Sequence, residues 1–196
     1  TCAPYQMDAR PRIGEHVAWA ESNAIVFANA VLGARTHRYG DFLDIAAAIT
    51  GRAPAAGLHL DTARHATIVF DVSAVPANLL DLDVAYPVIG LHIGKLVGSA
   101  VPVIVGAPAG LSEDRLKAIG SAGASSGSLA MFHVVGSTPE APDLETACGG
   151  RGPTDRHVIT AADLRTARDQ LTTSTNAKLG AISLGTPHYS VPEFAR

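Results

Sequence analysis

Apolar positions recur at helical spacing through the segment Gly14 to Leu32. At about 100° per residue, Val17, Ala20, Ala24, Phe27, Ala28, Val31 and Leu32 share one broad face. The pattern predicts a first helix over Gly14 to Leu32, stopped by Gly33, with Glu21 near the middle of its apolar face. Asp41 is placed to cap a second helix, FLDIAAAIT, which Gly51 ends. Strand-like runs follow around Gly57 to Leu60 and over ATIVFDVS, Ala66 to Ser73. YPVIGLHIGKLVG reads as a glycine-containing helix and VPVIVGAP as a buried strand. SEDRLKAIGSAG reads as a helix capped by Ser112, and SLAMFHVVG as another buried strand. A strand at HVIT, a helix at AADLRTARDQLTT capped by Thr160, and a strand at AISLG close the chain.

Strands alternating with helices, in continuous apolar runs rather than in–out patterns, predict an α/β fold: mainly parallel sheet segments flanked by helices. The turn-rich stretch TPEAPDLETACGGRGPTD divides it into an α/β region over 1–140 and a second α/β subdomain over 141–196. Ser190-Val191-Pro192-Glu193 has capping-box spacing with too few residues after it for a useful helix. The second subdomain is therefore expected to be truncated at its C-terminus, and the chain to be a piece of something longer.

Composition narrows the function classes. With 47% hydrophobic and 17% charged residues, the 196-residue chain can build a substantial core and is not of the disordered class. A net charge of −3 gives no general attraction to nucleic acid or anionic membrane, and no apolar run reaches the roughly 18 to 20 residues of a membrane span. Two cysteines far apart, Cys2 and Cys148, suit a reduced cytoplasmic setting better than a disulfide framework.

Candidate chemistry begins at Glu21. A carboxyl on a buried helix face needs a partner or takes up a proton. It is either a structural carboxylate paired with Arg35 or another arginine, or an acid–base group within a site. The loop after the helix carries Arg35, Thr36, His37, Arg38 and Tyr39. Two guanidinium forks with these neighbours match the acid end of a small substrate, and a solvated polar loop is the plainer reading. His188, in LGTPHYS, follows an expected parallel strand, where α/β folds place ligands. GASSG, Gly123 to Gly127, has the letters of a nucleophile elbow but sits between a helix and a strand in the wrong order, so a serine hydrolase is excluded. No Walker lysine, Cys-x-x-Cys or His-Glu-x-x-His pattern is present.

TCAPY, GEHVAWAESNAIVFANAVLGART, AAAITGRAPAAGLHLD, FHVVGSTPEAPDLETACGG and LGTPHYS, in order over nearly the whole chain, resemble the aconitase X family. That resemblance implies an aconitase-like catalytic region over 1–140 and a dehydratase using an iron–sulfur cluster or iron centre as Lewis acid on the leaving hydroxyl. It implies a small hydroxy acid substrate, a swivelling small domain or subunit as partner, and no nucleic acid or membrane. RTHRYGDFLDI resembles the branch acting on cis-3-hydroxy-L-proline, whereas the phosphomevalonate branch is closer to RTNREGGPSAL; Thr186, where the latter tends to have Cys, points the same way. The product would be Δ1-pyrroline-2-carboxylate. The resemblance places Cys2 as metal ligand and Glu21, Ser22 and His188 in the chemistry. It gives Asn23, Arg35, Thr36, Arg38 and Tyr39 to the substrate, with His37 standing where Glu or Asn is more usual. A phosphomevalonate dehydratase and a non-catalytic isolated fragment are the alternatives.

Overall fold

A computed structural model describes residues 3–174, 178, 180–184 and 188–195. The continuous apolar runs become four parallel strands, β1 (Ile68–Asp71), β2 (Pro102–Val105), β3 (His133–Val134) and β4 (Asp155–Val158), side by side in the order β3-β2-β1-β4. Ile68 lies opposite Pro102 on one side and Asp155 on the other, and Val103 opposite His133. Val69, Phe70, Val103 and Ile104 are buried on both faces of the sheet, which is why these runs show no alternation. The mainly parallel α/β fold expected from the sequence is present.

The helices, in chain order, are α1 (Ser22–Val26), which continues into a π-helical turn (Phe27–Val31), then α2 (Asp41–Thr50), α3 (Ala77–Leu80), α4 (Ala85–Val97), α5 (Glu113–Ser126), α6 (Leu144–Ala147), α7 (Ala161–Asp169) and α8 (Val191–Phe194). Val26, Ile89, Ile93, Ile119 and Leu164, from four of these helices, meet Phe70 and Ile104 of the sheet in the main core. Helices α4 and α5 cross with backbones almost touching. A Cβ on Gly94 would strike the Gly123 carbonyl and the Ser126 hydroxyl, and one on Gly90 the Ile119 carbonyl. Residues after 140 add β4 to the sheet and α7 against α4.

Several expectations need correction. The first helix starts at Ser22, not Gly14. Residues 14–17 instead run beside 33–35 as a short extended pair: Gly14 N–H donates to Gly33 O, Arg35 N–H to Glu15 O and Val17 N–H to Arg35 O. Glu21 therefore caps the helix, its carboxylate accepting from Ala24 N–H at 2.7 Å, rather than standing on its apolar face. Val17 and Trp19 still pack against Ala24, Phe27 and Ala28, so extended residues mimic the helical period. Gly33 does stop the helix, at φ +66°. Gly40, not Asp41, precedes the first turn of α2. Gly57–His59 is a 3₁₀ turn rather than a strand, and residues 181–184 form no strand, with Ile182 and Leu184 exposed.

Helix α2 is turned inside out. Phe42 is 88% exposed and Ile49 79%, while the acidic Asp44 is 8% exposed.

Candidate functional site

The helix α5 carries a polar stripe, Asp114, Lys117, Ser121 and Ser125, at helical spacing. That stripe faces the N-terminus of α1 across a cavity of about 700 Å³, which Glu21, Ser22, Asn23 and His188 also line. Residues from the two ends of the chain thus meet in one place. Asn23 is buried and held from two sides: its amide donates to the Tyr5 hydroxyl at 2.8 Å, and its carbonyl accepts from Ser121 Oγ at 2.5 Å. Burial pushes the Tyr5 phenol up to about 12, against the lowering effect of the Asn23 bond, so it stays protonated.

His188 reaches the cavity because its backbone is clamped. Lys117 Nζ donates to His188 O at 2.7 Å, to Glu193 Oε2 at 2.5 Å and to Asp114 Oδ1 at 3.3 Å, using all three ammonium donors. Gln6 Nε2 adds a bond to His188 O, and Ser190 Oγ donates to Asp114. Ser190 also caps α8 in a reciprocal box with Glu193, as its spacing predicts. At the rim, Arg115 pairs with Asp83 at 2.9 Å. Sequence reasoning missed Tyr5, Lys117 and Ser121. The signal for the latter two was present in the period of the α5 polar stripe.

The Arg35 to Tyr39 loop does not line this cavity. Arg35 is not paired with Glu21; its fork is taken by Asp61 at 2.7 Å and Glu140 at 2.6 Å. Beside it, buried Arg64 bonds Glu140 and both the side-chain and backbone oxygens of Asn29. Thr36 is buried, its N–H donating to Asn29 Oδ1 at 3.1 Å. Arg38 Nη1 donates to Gly127 O at 3.1 Å and Leu129 O at 3.4 Å. Tyr39 Oη lies 3.1 Å from His59 Nε2. The cationic loop is thus tied into internal carboxylates and carbonyls, and Arg38 is its exposed member.

Among the described residues no group of three or more His, Cys, Asp and Glu could hold a metal ion. The Cys148 thiol lies in a small apolar cluster, and burial raises its pKa, which disfavours the ligating thiolate. Cys2 and Thr186 lie outside the described residues. No helix among the described residues is long and apolar enough to cross a membrane.

Residues 1–62 match the aconitase X first domain and residues 66–169 the aconitase X second domain. A cis-3-hydroxy-L-proline dehydratase of Pseudomonas aeruginosa is 46% identical over the whole of this chain, which spans 33% of that relative. One from Hypocrea jecorina is 45% identical with the same coverage. The phosphomevalonate dehydratase large subunit of Thermococcus kodakarensis is 38% identical over 98% of this chain and 47% of its own length. The crystal structure of Thermococcus kodakaraensis aconitase X in its holo-form superposes with a TM-score of 0.75 at 37% identity, covering 89% of this chain and 42% of that one. The chain spans about a third of the length of the two hydroxyproline dehydratases.

Proposed function

The chain belongs to the aconitase X family, and from that premise we propose that the whole protein is a hydro-lyase that dehydrates cis-3-hydroxy-L-proline. The observation that carries the site is the meeting of Glu21, Ser22, Asn23 and His188 in one cavity. For the substrate branch, support comes from the two hydroxyproline dehydratases at 46% and 45% identity, together with RYGDFLDI.

Elimination needs one group to take the α-proton and another to give a proton to the departing 3-hydroxyl, which leaves as water. In the cavity, Asp114 and Glu193 are tied to Lys117, and Asp83 to Arg115. Of the described carboxylates and imidazoles that line the cavity, Glu21, with one oxygen on Ala24 N–H, and His188 are the two outside these ion pairs. We assign them the two proton transfers of the elimination step itself, with Ser22 and Asn23 orienting the substrate. The enamine then tautomerises to Δ1-pyrroline-2-carboxylate. Arg38 and Tyr39 are assigned to the acid end of the substrate, and Arg35 and Thr36 to anchoring that loop.

An iron–sulfur cluster or iron centre with Cys2 as one ligand belongs to this reading, with the remaining ligands outside the described residues; the holo-form relative supports a bound group. A swivelling small domain or subunit would close the site, in keeping with the large-subunit relatives. A cytoplasmic setting is proposed with it.

The test is made on the intact protein purified without oxygen, by measuring iron and assaying both substrates. We expect turnover of cis-3-hydroxy-L-proline, none of phosphomevalonate, and loss of iron in Cys2→Ser. Turnover of phosphomevalonate alone would support the second reading, which a 42% identical large subunit from Methanothermobacter thermautotrophicus favours. Unchanged iron in Cys2→Ser would remove that ligand.

A further inference from the structure

His59 is buried in the turn Gly57–His59, and both of its ring nitrogens are engaged. Nδ1 lies 2.9 Å from His16 Nδ1, and Nε2 lies 3.1 Å from the Tyr39 hydroxyl. The planes of His16 and His59 differ by 13°, and those of Tyr39 and His59 by 12°. The His16 and His59 centroids are 5.2 Å apart, about two ring radii more than the nitrogen separation. The imidazoles therefore lie edge to edge, in the arrangement where an N–H of one points along a lone pair of the other. Three rings with nearly parallel planes run from exposed His16 through buried His59 to half-buried Tyr39.

Apolar packing alone would not need this alignment of donors and acceptors. With Tyr39 donating to a neutral His59 Nε2, the His59 proton sits on Nδ1 and His16 Nδ1 accepts it, its own proton being on Nε2. Burial, then His16, His37 and Arg64, lower the proton affinity of His59, which keeps it neutral as this requires. Buried Asp44, both of whose carboxyl oxygens lack a hydrogen-bond partner among the described residues, lies near enough to influence Tyr39.

We propose that Tyr39, His59 and His16 form a proton relay between solvent and a hydroxy acid bound at Tyr39, a proposal that rests on reading the Arg35 to Tyr39 loop as a substrate contact. A proton arriving on the Tyr39 oxygen is matched by transfer of the phenolic proton to His59 Nε2, of the His59 Nδ1 proton to His16 Nδ1, and of the His16 Nε2 proton to water. The reverse sequence returns a proton to the ligand. Nothing is oxidised or reduced.

The relay is tested in the intact protein with ¹⁵N-labelled histidine rings. Long-range ¹H–¹⁵N spectra near neutral pH are expected to show His59 neutral, with its proton on Nδ1. His16→Asn, at an exposed position that does not threaten the fold, is expected to lower kcat roughly tenfold with KM unchanged, and added imidazole to restore part of the loss. A His59 that is cationic or protonated on Nε2, or a His16→Asn variant with native kcat and pH profile, overturns the relay. Tyr39→Phe with native kinetics overturns the reading of the loop instead, whatever the spectra show.

Discussion

Asp71, the last residue of β1, shows how one carboxyl ties the sheet's edge. Its Oδ2 accepts from Arg156 of β4 at 2.5 Å and its Oδ1 from Ser73 N–H at 2.9 Å. The Arg156 bond first, then Ser73, hold its pKa at about 2 instead of the usual 3.8. A carboxyl held below its unfolded value stabilises the fold above about pH 4 and loses that contribution as pH falls toward 2. Because Arg156 is half exposed, the pair contributes only about 1 kcal/mol. Asp71→Asn is expected to lower Tm by roughly 2–4 °C at neutral pH, with the difference shrinking between about pH 4 and 2, as read by thermal melts across that range. A gap that persists at pH 2 would assign the effect to packing. At this scale the sequence was half legible. Glu21, Ser22 and Asn23 could be singled out because polar residues interrupt an apolar run, but no local signal says that Arg35 meets Asp61 and Glu140, since those partners come together only in the fold.

Caps and stops were the most readable elements. Ser112, Thr160 and Ser190 cap α5, α7 and α8 through the side-chain bonds their spacing predicts, because these contacts lie within one turn of sequence. The start of α1 was not readable. Val17 and Trp19 pack on the same cluster from extended backbone, so periodicity alone runs on through them. The α4–α5 crossing is a second case that only the structure reveals: its glycines read as weak helix positions, yet they are where the two backbones touch. Gly94→Ala would gain about 1 kcal/mol in helix propensity but would drive a methyl group into Gly123 O and Ser126 Oγ. The clash should win. We expect a net loss of roughly 1–3 kcal/mol in denaturant unfolding, and equal or greater stability in the variant would show that the helices can separate at no cost.

Across the whole molecule the parallel sheet was legible, since uninterrupted apolar runs separated by helices have few other ways to be buried. The order of its strands was not: hydrophobicity marks β4 as a strand but carries no record that it returns to the far side of β1. That return has a consequence for time rather than for stability. Strands β1, β2 and β3 are neighbours in the order they are made, so they can assemble progressively as the chain is synthesised. The partner of Ile68 on the other side is Asp155, which a nascent chain acquires only after β3 is complete. Until then β1 presents an open edge with unmet backbone groups, the feature by which growing polypeptides capture one another. In pulse-labelled hydrogen exchange during refolding, amides of β1 and β2 should gain protection before those of β4, and simultaneous protection would mean the sheet closes in one step. A cell making this protein must therefore shelter one raw strand edge for as long as it takes to synthesise the residues between β1 and β4.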